Sequence, residues 1–474
     1  MNETKNEDLI DYFYMPLNDV EEIKYRHEVF IELENNQLLF DAIKTFVDKM
    51  SNIKRELSFS EKLEYQYNKK GWWLEAVDKY VKAVSELALY FLNEKLTSEG
   101  LQNFSKYLIK YANSDYFTKL REIVERVKKS LEEVTYCLNI DGLRVMVYKC
   151  EEEEEYENDI IKTFEKFKTS DNKDYKLMVP TMIGMDHVEN EIINAVVKFY
   201  PQPFELLDSF YEEYYHFMDP VVERFSEEIR FYIIYLDFTK KFKQLGLSFC
   251  YPEITTNKEE VYLYEGFDLA LAHDKVTKGE TVVVNDFWLE NGERLVVVTG
   301  PNQGGKTTFA RMFGQVHYLA KLGVPIPGKK AKIFLCDKIF THFEREEKVQ
   351  NLRGKLEADL LEIKQIINMA TPMSLIILNE TFSSATVADA IFLAKNVIAK
   401  ILEIDCYALY VTFLDELTSI GEKVVSMVAT VSEQDPSIKT YKILRKPADG
   451  KAYAILLAEK YGLSYEQLKR RLKG

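Results

Sequence analysis

Cysteine is scarce. The chain has five in 474 residues (Cys137, Cys150, Cys250, Cys336 and Cys406), far apart and with no C-x-x-C pair. That excludes a zinc ribbon and a dense disulfide frame, and it fits reduced thiols. Six scattered histidines add no metal-ligand spacing. No apolar run reaches the roughly 18 to 20 residues that a membrane helix needs. The opening, MNETKNEDLIDYFYM, has no basic stretch followed by an apolar one, so no secretory signal is read there and a cytoplasmic location is expected. Glycine (19) and proline (12) are too few for a collagen or a low-complexity linker. What is present is ordinary for a globular protein: 46% hydrophobic and 29% charged residues. The length suggests about three domains of roughly 150 residues.

Charge is unevenly placed. Of the 62 Lys+Arg and 77 Asp+Glu, residues 251–474 hold 29 of each, so residues 1–250 hold 33 and 48 and carry the whole net charge of −15. An acidic half repels a phosphate backbone unless its bases are clustered. The run Glu151-Glu152-Glu153-Glu154-Glu155 reads as a solvated helix start or loop, or as a docking patch for a basic partner.

Residues 1–250 read as helical, with apolar residues three and four apart in 23–33, 87–92 and 123–134. One interruption, 134–139 and 143–147 around Asp141-Gly142, predicts a hairpin within 134–150. A second helical stretch is expected over 188–245. Its aromatics Phe210, Tyr211, Tyr214, Tyr215 and Phe217 are read as helix packing rather than a base-stacking platform. From Tyr251-Pro252 onward, β-rich runs such as 281–284 and 295–298 alternate with helical stretches, the grammar of a mainly parallel α/β sheet. A domain boundary is expected at about 250.

The strongest motif follows the run Leu295-Val296-Val297-Val298-Thr299. It is Gly300-Pro301-Asn302-Gln303-Gly304-Gly305-Lys306-Thr307, with a helix expected from Thr308. This is G-x-x-x-x-G-K-T between a buried strand and a helix, the context that makes the motif specific for nucleotide phosphates. Glycines let backbone N–H groups turn inward, and the helix N-terminus adds its dipole. Lys306 is expected to reach the β- and γ-phosphates of ATP, and the Thr307 hydroxyl to ligate Mg²⁺, with Thr308 completing the nucleotide-binding set. A second apolar run, Leu375-Ile376-Ile377-Leu378, ends in Asn379-Glu380. Glu380 is suited to orient or deprotonate an attacking water. The position before it ordinarily carries the Asp that holds Mg²⁺ through water; Asn379 offers an oxygen without charge, so Mg²⁺ is expected to be held less tightly.

Together these residues resemble the MutS family of mismatch-repair ATPases. Gly300–Thr307 looks like that family's GPNxGGK[ST] loop. Leu322-Gly323-Val324-Pro325 is similar to its G-x-x-V-P stretch, and Asp337-Lys338-Ile339-Phe340-Thr341 to its D-x-I-F-T. Asn379-Glu380 stands where the family has Asp-Glu. Gly450-Lys451-Ala452-Tyr453-Ala454 and residues 458–463 resemble the motifs that close its ATPase domain. More loosely, residues 17–28 and 231–252 look like the family's core and lever helices. The resemblance implies an α + α/β chain: a helical core/lever domain over 1–250, then a P-loop ATPase of ABC-ATPase-like type over 251–474. It also implies a homodimer with a composite site, in which Arg353, Gly354 and Lys355 of one subunit face the other's nucleotide; the alternative is that Arg353 and Lys355 are solvated charges at a helix start.

Departures from the pattern bear on function. The chain opens at the core domain, so the mismatch-reading and connector domains are expected to be absent. Phe30-Ile31-Glu32, Phe59-Ser60-Glu61 and Phe225-Ser226-Glu227 are chance matches to that domain's wedge. The signature serine position falls on Gly354, the histidine of the family's T-H pair is Phe413 after Thr412, and residues 281–286 replace the stretch that stacks on adenine. Two functions are open: an ATP-driven DNA-binding switch for structured or branched DNA, with slow ATP hydrolysis, or an ATP-dependent switch whose ligand is a protein effector.

Overall fold

The computed structural model describes residues 10–141, 144–149, 185–343, 354–432, 434, 438–448 and 469. They form two compact units, one of residues 1–34 with 231–474 and one of residues 35–230. The division expected at about 250 is therefore not where the units part. The first residues of the chain pack with the C-terminal half for local reasons. After the short helix α1 (Ile10–Phe13), the Leu17 N–H donates to the Lys321 carbonyl at 2.8 Å. From α2 (Val20–Asn35), Arg26 donates to the Leu322 carbonyl at 2.6 Å. The buried Lys321 ammonium reaches Asn18 and the carbonyls of Cys336 and Asp337.

The unit of residues 35–230 is helical, as periodicity predicts. It contains α3 (Gln37–Ser60), α4 (Gln66–Asn93), α5 (Glu99–Ala112) and α6 (Asp115–Glu132). After a hairpin come α7 (His187–Phe199), α8 (Pro201–Tyr214) and the first part of α9 (Pro220–Lys243). On α4 the buried Trp73, Val77, Tyr80, Val84, Leu87 and Phe91 recur at alternating spacings of four and three, one stripe of a helix. Phe217 lies edge-on to Trp73 and Tyr80, with ring centroids 5.9 and 5.3 Å away, and Phe210 also packs on Trp73. The aromatics near 210–217 are thus helix packing. The hairpin pairs β1 (Tyr136–Asp141) with β2 (Arg144–Lys149), antiparallel, two residues later than the sequence suggests. Cys137 is disulfide-bonded, against the expectation of reduced thiols throughout; Cys250, Cys336 and Cys406 are free. The acidic run 151–155 lies outside the described residues.

In the other unit, short strands β3 (Phe249–Cys250), β4 (Glu253–Thr255) and β5 (Glu260–Gly266) precede helix α10 (Leu269–Thr277). Then come β6 (Asn285–Glu290), β7 (Leu295–Thr299), α11 (Lys306–Lys321), β8 (Ile326–Pro327), β9 (Lys330–Phe334) and β10 (Ile339–Phe343). The last described elements are α12 (Lys355–Met369), β11 (Leu375–Asn379), α13 (Val387–Ile404), β12 (Tyr407–Val411), β13 (Val424–Val431) and β14 (Lys439–Arg445). The main sheet has the order β10-β11-β12-β7-β13-β14. Its first five strands are parallel, and β14 returns antiparallel beside β13. Strands β7, β11 and β12 are buried at every residue, which is why they read as unbroken apolar runs. Ile363 and Ile366 of α12 and Ala394, Ile398 and Ile401 of α13 cluster with Ile376 and Leu378 of β11. Ile377 points the other way, and Gly314 of α11 passes so near that a Cβ there would meet Ile377 Cδ1 at 2.9 Å. A separate sheet has the order β4-β9-β5-β6.

The β-rich run 281–284 is not a strand. Val282 and Val284 instead pack against the buried cluster of Phe242, Phe267 and Ala272, so their apolar character serves burial without a ladder. Among the described residues, no helix is long and apolar enough to cross a membrane.

One histidine of this unit gives stability a pH dependence. His317 on α11 is buried, its Nδ1 lies 2.7 Å from the Phe313 carbonyl, and burial pushes its pKa down to about 4. The folded value lies below the unfolded one, so stability is full above about pH 6.5 and falls with acid as the unfolded chain alone takes the proton. His317 should cost about 2 kcal/mol of stability by pH 5. His317→Gln should therefore show a smaller drop in unfolding midpoint between pH 7 and pH 5 than the wild type. Equal drops would mean that the folded imidazole already accepts the proton.

Candidate functional site

The site is built at the carboxyl ends of the parallel strands, where α/β sheets place ligands. β7 runs between β12 and β13 and ends at Thr299. The chain then folds through residues 300–305 into α11, so the loop sits at a helix N-terminus. Gly300 has φ +115°, and a Cβ on it would meet the Ala429 carbonyl oxygen of the neighbouring β13 at 2.8 Å. A Cβ on Gly304 would meet the Pro301 carbonyl oxygen at 2.9 Å. Gly305 has φ +95° and Gln303 φ +59°. The glycines are thus required by close backbone approach and by left-handed conformation.

Lys306 is 3% exposed and turns back over the loop. Its ammonium donates to the Gly300 carbonyl at 3.0 Å and the Pro301 carbonyl at 3.2 Å, and lies 3.5 Å from Asn302 Oδ1. The Glu380 carboxylate is 3.9 Å away. Burial pushes the Lys306 pKa below its ordinary value; Glu380 opposes that shift and the Lys439 charge adds to it. Thr307 is exposed and Thr308 half-buried at the start of α11.

The second part of the site stands at the end of β11, which β12 links to β7 by lying between them. The Glu380 N–H donates to the Val411 carbonyl at 2.9 Å, and the Thr412 N–H to the Val298 carbonyl at 3.0 Å. Three strand ends are thereby tied in a row. Glu380 has φ +52° and Phe382 φ +61°, positions that a non-glycine residue holds only at a cost of order 1–3 kcal/mol. That strain turns the chain sharply at the end of β11 and leaves Glu380 half-buried beside Lys306. Thr381 bonds the Tyr410 hydroxyl. Asn379 is buried, and its Oδ1 has no hydrogen-bond partner among the described residues; Thr299 Oγ1 is in the same state. An amide oxygen and a hydroxyl, as on Asn379 and Thr307, are hard oxygen donors of the kind that Mg²⁺ takes. Phe413, in place of a polar group, is half exposed.

Of the residues singled out in the sequence, Gly300, Pro301, Asn302, Lys306 and Glu380 meet around the Lys306 ammonium, and Gln303, Gly304 and Gly305 complete the loop. Gly354 caps α12 in extended conformation, with open space where its Cβ would be, and Lys355 begins that helix. Arg353 and the closing motifs at 450–454 and 458–463 lie outside the described residues. Sequence reading missed Lys439 and Tyr441 on β14. Lys439 donates to Gln303 Oε1 at 2.9 Å, and the Tyr441 ring lies 3.7 Å from the Cβ position of Gly305. No local signal marks a residue 136 positions beyond its partner.

Residues 296–471 match the family described as MutS domain V. A protein named DNA mismatch repair protein MutS from Clostridium kluyveri is 32% identical over 231 residues, covering 47% of this chain and 26% of that protein. The protein of that name from Orientia tsutsugamushi is 30% identical over 221 residues, 46% of this chain and 25% of that protein. The one from Thermotoga sp. (strain RQ2) is 29% identical over 205 residues, 41% and 26% respectively. The chain thus spans about a quarter of the length of these relatives.

The loop geometry makes Gly300→Ala the sharpest local change. Its left-handed φ and the 2.8 Å approach to the Ala429 carbonyl both oppose a Cβ. The variant should lose on the order of 1–3 kcal/mol of stability, read as a lowered unfolding midpoint. An unchanged midpoint would show that β13 gives way freely.

Proposed function

We propose that this chain, which belongs to the MutS family through residues 296–471, is an ATP-dependent dimeric switch that binds DNA and hydrolyses ATP slowly. The observation that carries the nucleotide part is the buried Lys306 ammonium, held by its own loop's carbonyls and facing Glu380 at 3.9 Å. A phosphate group of ATP replaces those carbonyls as the partner of the lysine and gathers the backbone N–H groups of 300–307. Thr307 would supply a hydroxyl and Asn379 an amide oxygen toward Mg²⁺, which would neutralise phosphate charge. Glu380 orients the attacking water and accepts its proton. In this reading the C-terminal unit is an ATPase of ABC type, and residues 1–250 are a core and lever region like MutS domain III. Arg353, Gly354 and Lys355 of one subunit meet the nucleotide of its partner, so that ATP joins two ATPase units.

Slow turnover follows from charge. Replacing one carboxylate of a phosphoryl-transfer site by a neutral amide commonly costs on the order of 3 kcal/mol, about a hundredfold in rate. Asn379→Asp should therefore speed steady-state ATP hydrolysis and lower the Mg²⁺ concentration it needs. Glu380→Gln should stop hydrolysis and leave ATP binding intact. Fast wild-type turnover that Asn379→Asp slows and Glu380→Gln leaves alone would place the catalytic carboxylate elsewhere.

The DNA part rests on the relatives, each named a DNA mismatch repair protein, and structured or branched DNA is the ligand proposed. One observation favours a protein ligand instead: residues 1–250 carry the whole net charge of −15. Purified protein should bind branched DNA more tightly with ATP than without, with affinity falling steeply as salt rises. Light scattering should show a dimer promoted by a non-hydrolysable ATP analogue. Affinity for branched DNA no better than for plain duplex, and insensitive to ATP, would favour the protein ligand.

A further inference from the structure

Strand β14 closes over the phosphate loop. Lys439 and Tyr441 both meet the loop: Lys439 Nζ donates to Gln303 Oε1 at 2.9 Å, and Tyr441 lies against Gly305. The contacts bracket the last three loop residues before Lys306. Their placement is held from behind. The hydroxyls of Thr440 and Thr430 are 2.6 Å apart, Asn285 Nδ2 donates to the Tyr441 carbonyl at 3.1 Å, and the Ile443 N–H donates to Asn285 Oδ1 at 2.7 Å. Lys442 also bonds the Val284 carbonyl. Tyr441 has φ +57°, a left-handed position in a strand, and β13 is irregular between Ala429 and Val431 opposite it. The backbone is thus bent where β14 passes the loop. Strain of this kind persists only where the surroundings enforce it.

The consequence is electrostatic. Beside the loop stand two ammonium groups, Lys306 and Lys439, and one carboxylate, Glu380; Asn379 is neutral. Compared with a site that has Asp-Glu after its second strand and a single lysine, this one has one cation more and one anion fewer. Both differences raise the positive charge that meets a polyphosphate, and both reduce what Mg²⁺ adds.

We propose that Lys439 is a second phosphate-binding cation of the nucleotide site, through which the loop holds a nucleoside triphosphate without Mg²⁺. The proposal rests on the ATP-binding reading given above, and its test separates the two. ATP binding is measured by calorimetry on the full chain, in EDTA and in excess Mg²⁺, for the wild type, Lys439→Ala, Lys439→Arg and Lys306→Ala. The wild type should bind ATP in EDTA. Lys439→Ala should lose about tenfold or more in EDTA, and clearly less in Mg²⁺, because the metal then carries part of the neutralisation. Lys439→Arg should keep most of the EDTA affinity, since charge rather than shape is needed. Lys306→Ala should lose binding in both conditions. If Lys439→Ala matches the wild type in EDTA while Lys306→Ala fails to bind, Lys439 has no such role and the site assignment stands. Equal losses for Lys439→Ala and Lys439→Arg, with and without Mg²⁺, would reduce Lys439 to a support for Gln303 and overturn the proposal. A wild type that binds ATP only with Mg²⁺ would overturn it too. Lys306→Ala binding as tightly as the wild type would overturn the ATP site itself.

Discussion

A buried lysine ammonium held by two loop carbonyls beside a carboxylate sets the terms for the C-terminal unit. Lys306 is almost fully buried, and a buried cation is tolerated only where oxygens replace its water. Two loop carbonyls and one carboxylate do so here. For the carbonyls to face inward, the loop needs left-handed backbone at Gly300, Gln303 and Gly305. For the loop to start and stop in the right places, β7 must be locked in the sheet between β12 and β13, and α11 must begin at Lys306 itself. The all-buried strands and the two-sided helical cover follow from that demand. A sheet that could shift in register would misplace the loop by the length of a residue.

Much of this was legible in the sequence because it is local. The run 295–299, the glycines after it and the helix beyond are consecutive, so spacing alone marks a phosphate loop. The stripe on α4 and the apolar run 375–378 are likewise written in neighbouring residues. What was hidden depends on contacts between distant parts of the chain. Residues 281–284 have strand-like composition, yet Val282 and Val284 are used to cover Phe242 and Phe267, and only the tertiary cluster decides between ladder and cover. Residues 1–34 read as part of the helical half. They belong with the C-terminal half because Arg26 and Asn18 satisfy the end of α11, which periodicity cannot show. Lys439 was an ordinary surface lysine until β14 brought it to Gln303.

The unpaired oxygens of the site form a pattern of their own. Thr299 ends β7 and Asn379 ends β11, and each carries a buried side-chain oxygen without a partner among the described residues. Leaving such an atom unsatisfied costs roughly 1–3 kcal/mol, which a fold retains only where something else gains. The strained φ values of Glu380 and Phe382 fall in the same few residues. Two unpaired oxygens and two left-handed residues thus stand together at the strand ends beside the loop, although other buried unpaired atoms, such as Tyr407 Oη and Ser426 Oγ, lie within the sheet itself.

The chain passes between the unit of residues 35–230 and the other unit near 34 and near 230. On the C-terminal side of those crossings, Phe30 of α2 packs on Phe231, Tyr232 and Tyr235 of α9, with ring centroids 6.1, 4.5 and 6.0 Å apart. Arg26, one turn earlier on α2, donates to the Leu322 carbonyl just beyond α11 and lies over the Phe231 ring at 5.6 Å. Tyr235 in turn donates to the Pro325 carbonyl at 2.7 Å. Both helices that carry the chain across are therefore fixed to one short stretch, 322–325, which follows directly from the helix that begins at Lys306. Aromatic packing holds the two helices as a pair, and the carbonyls of Leu322 and Pro325 anchor that pair to the far end of α11. α11 thus runs from Lys306 to the stretch 322–325 on which α2 and α9 are anchored.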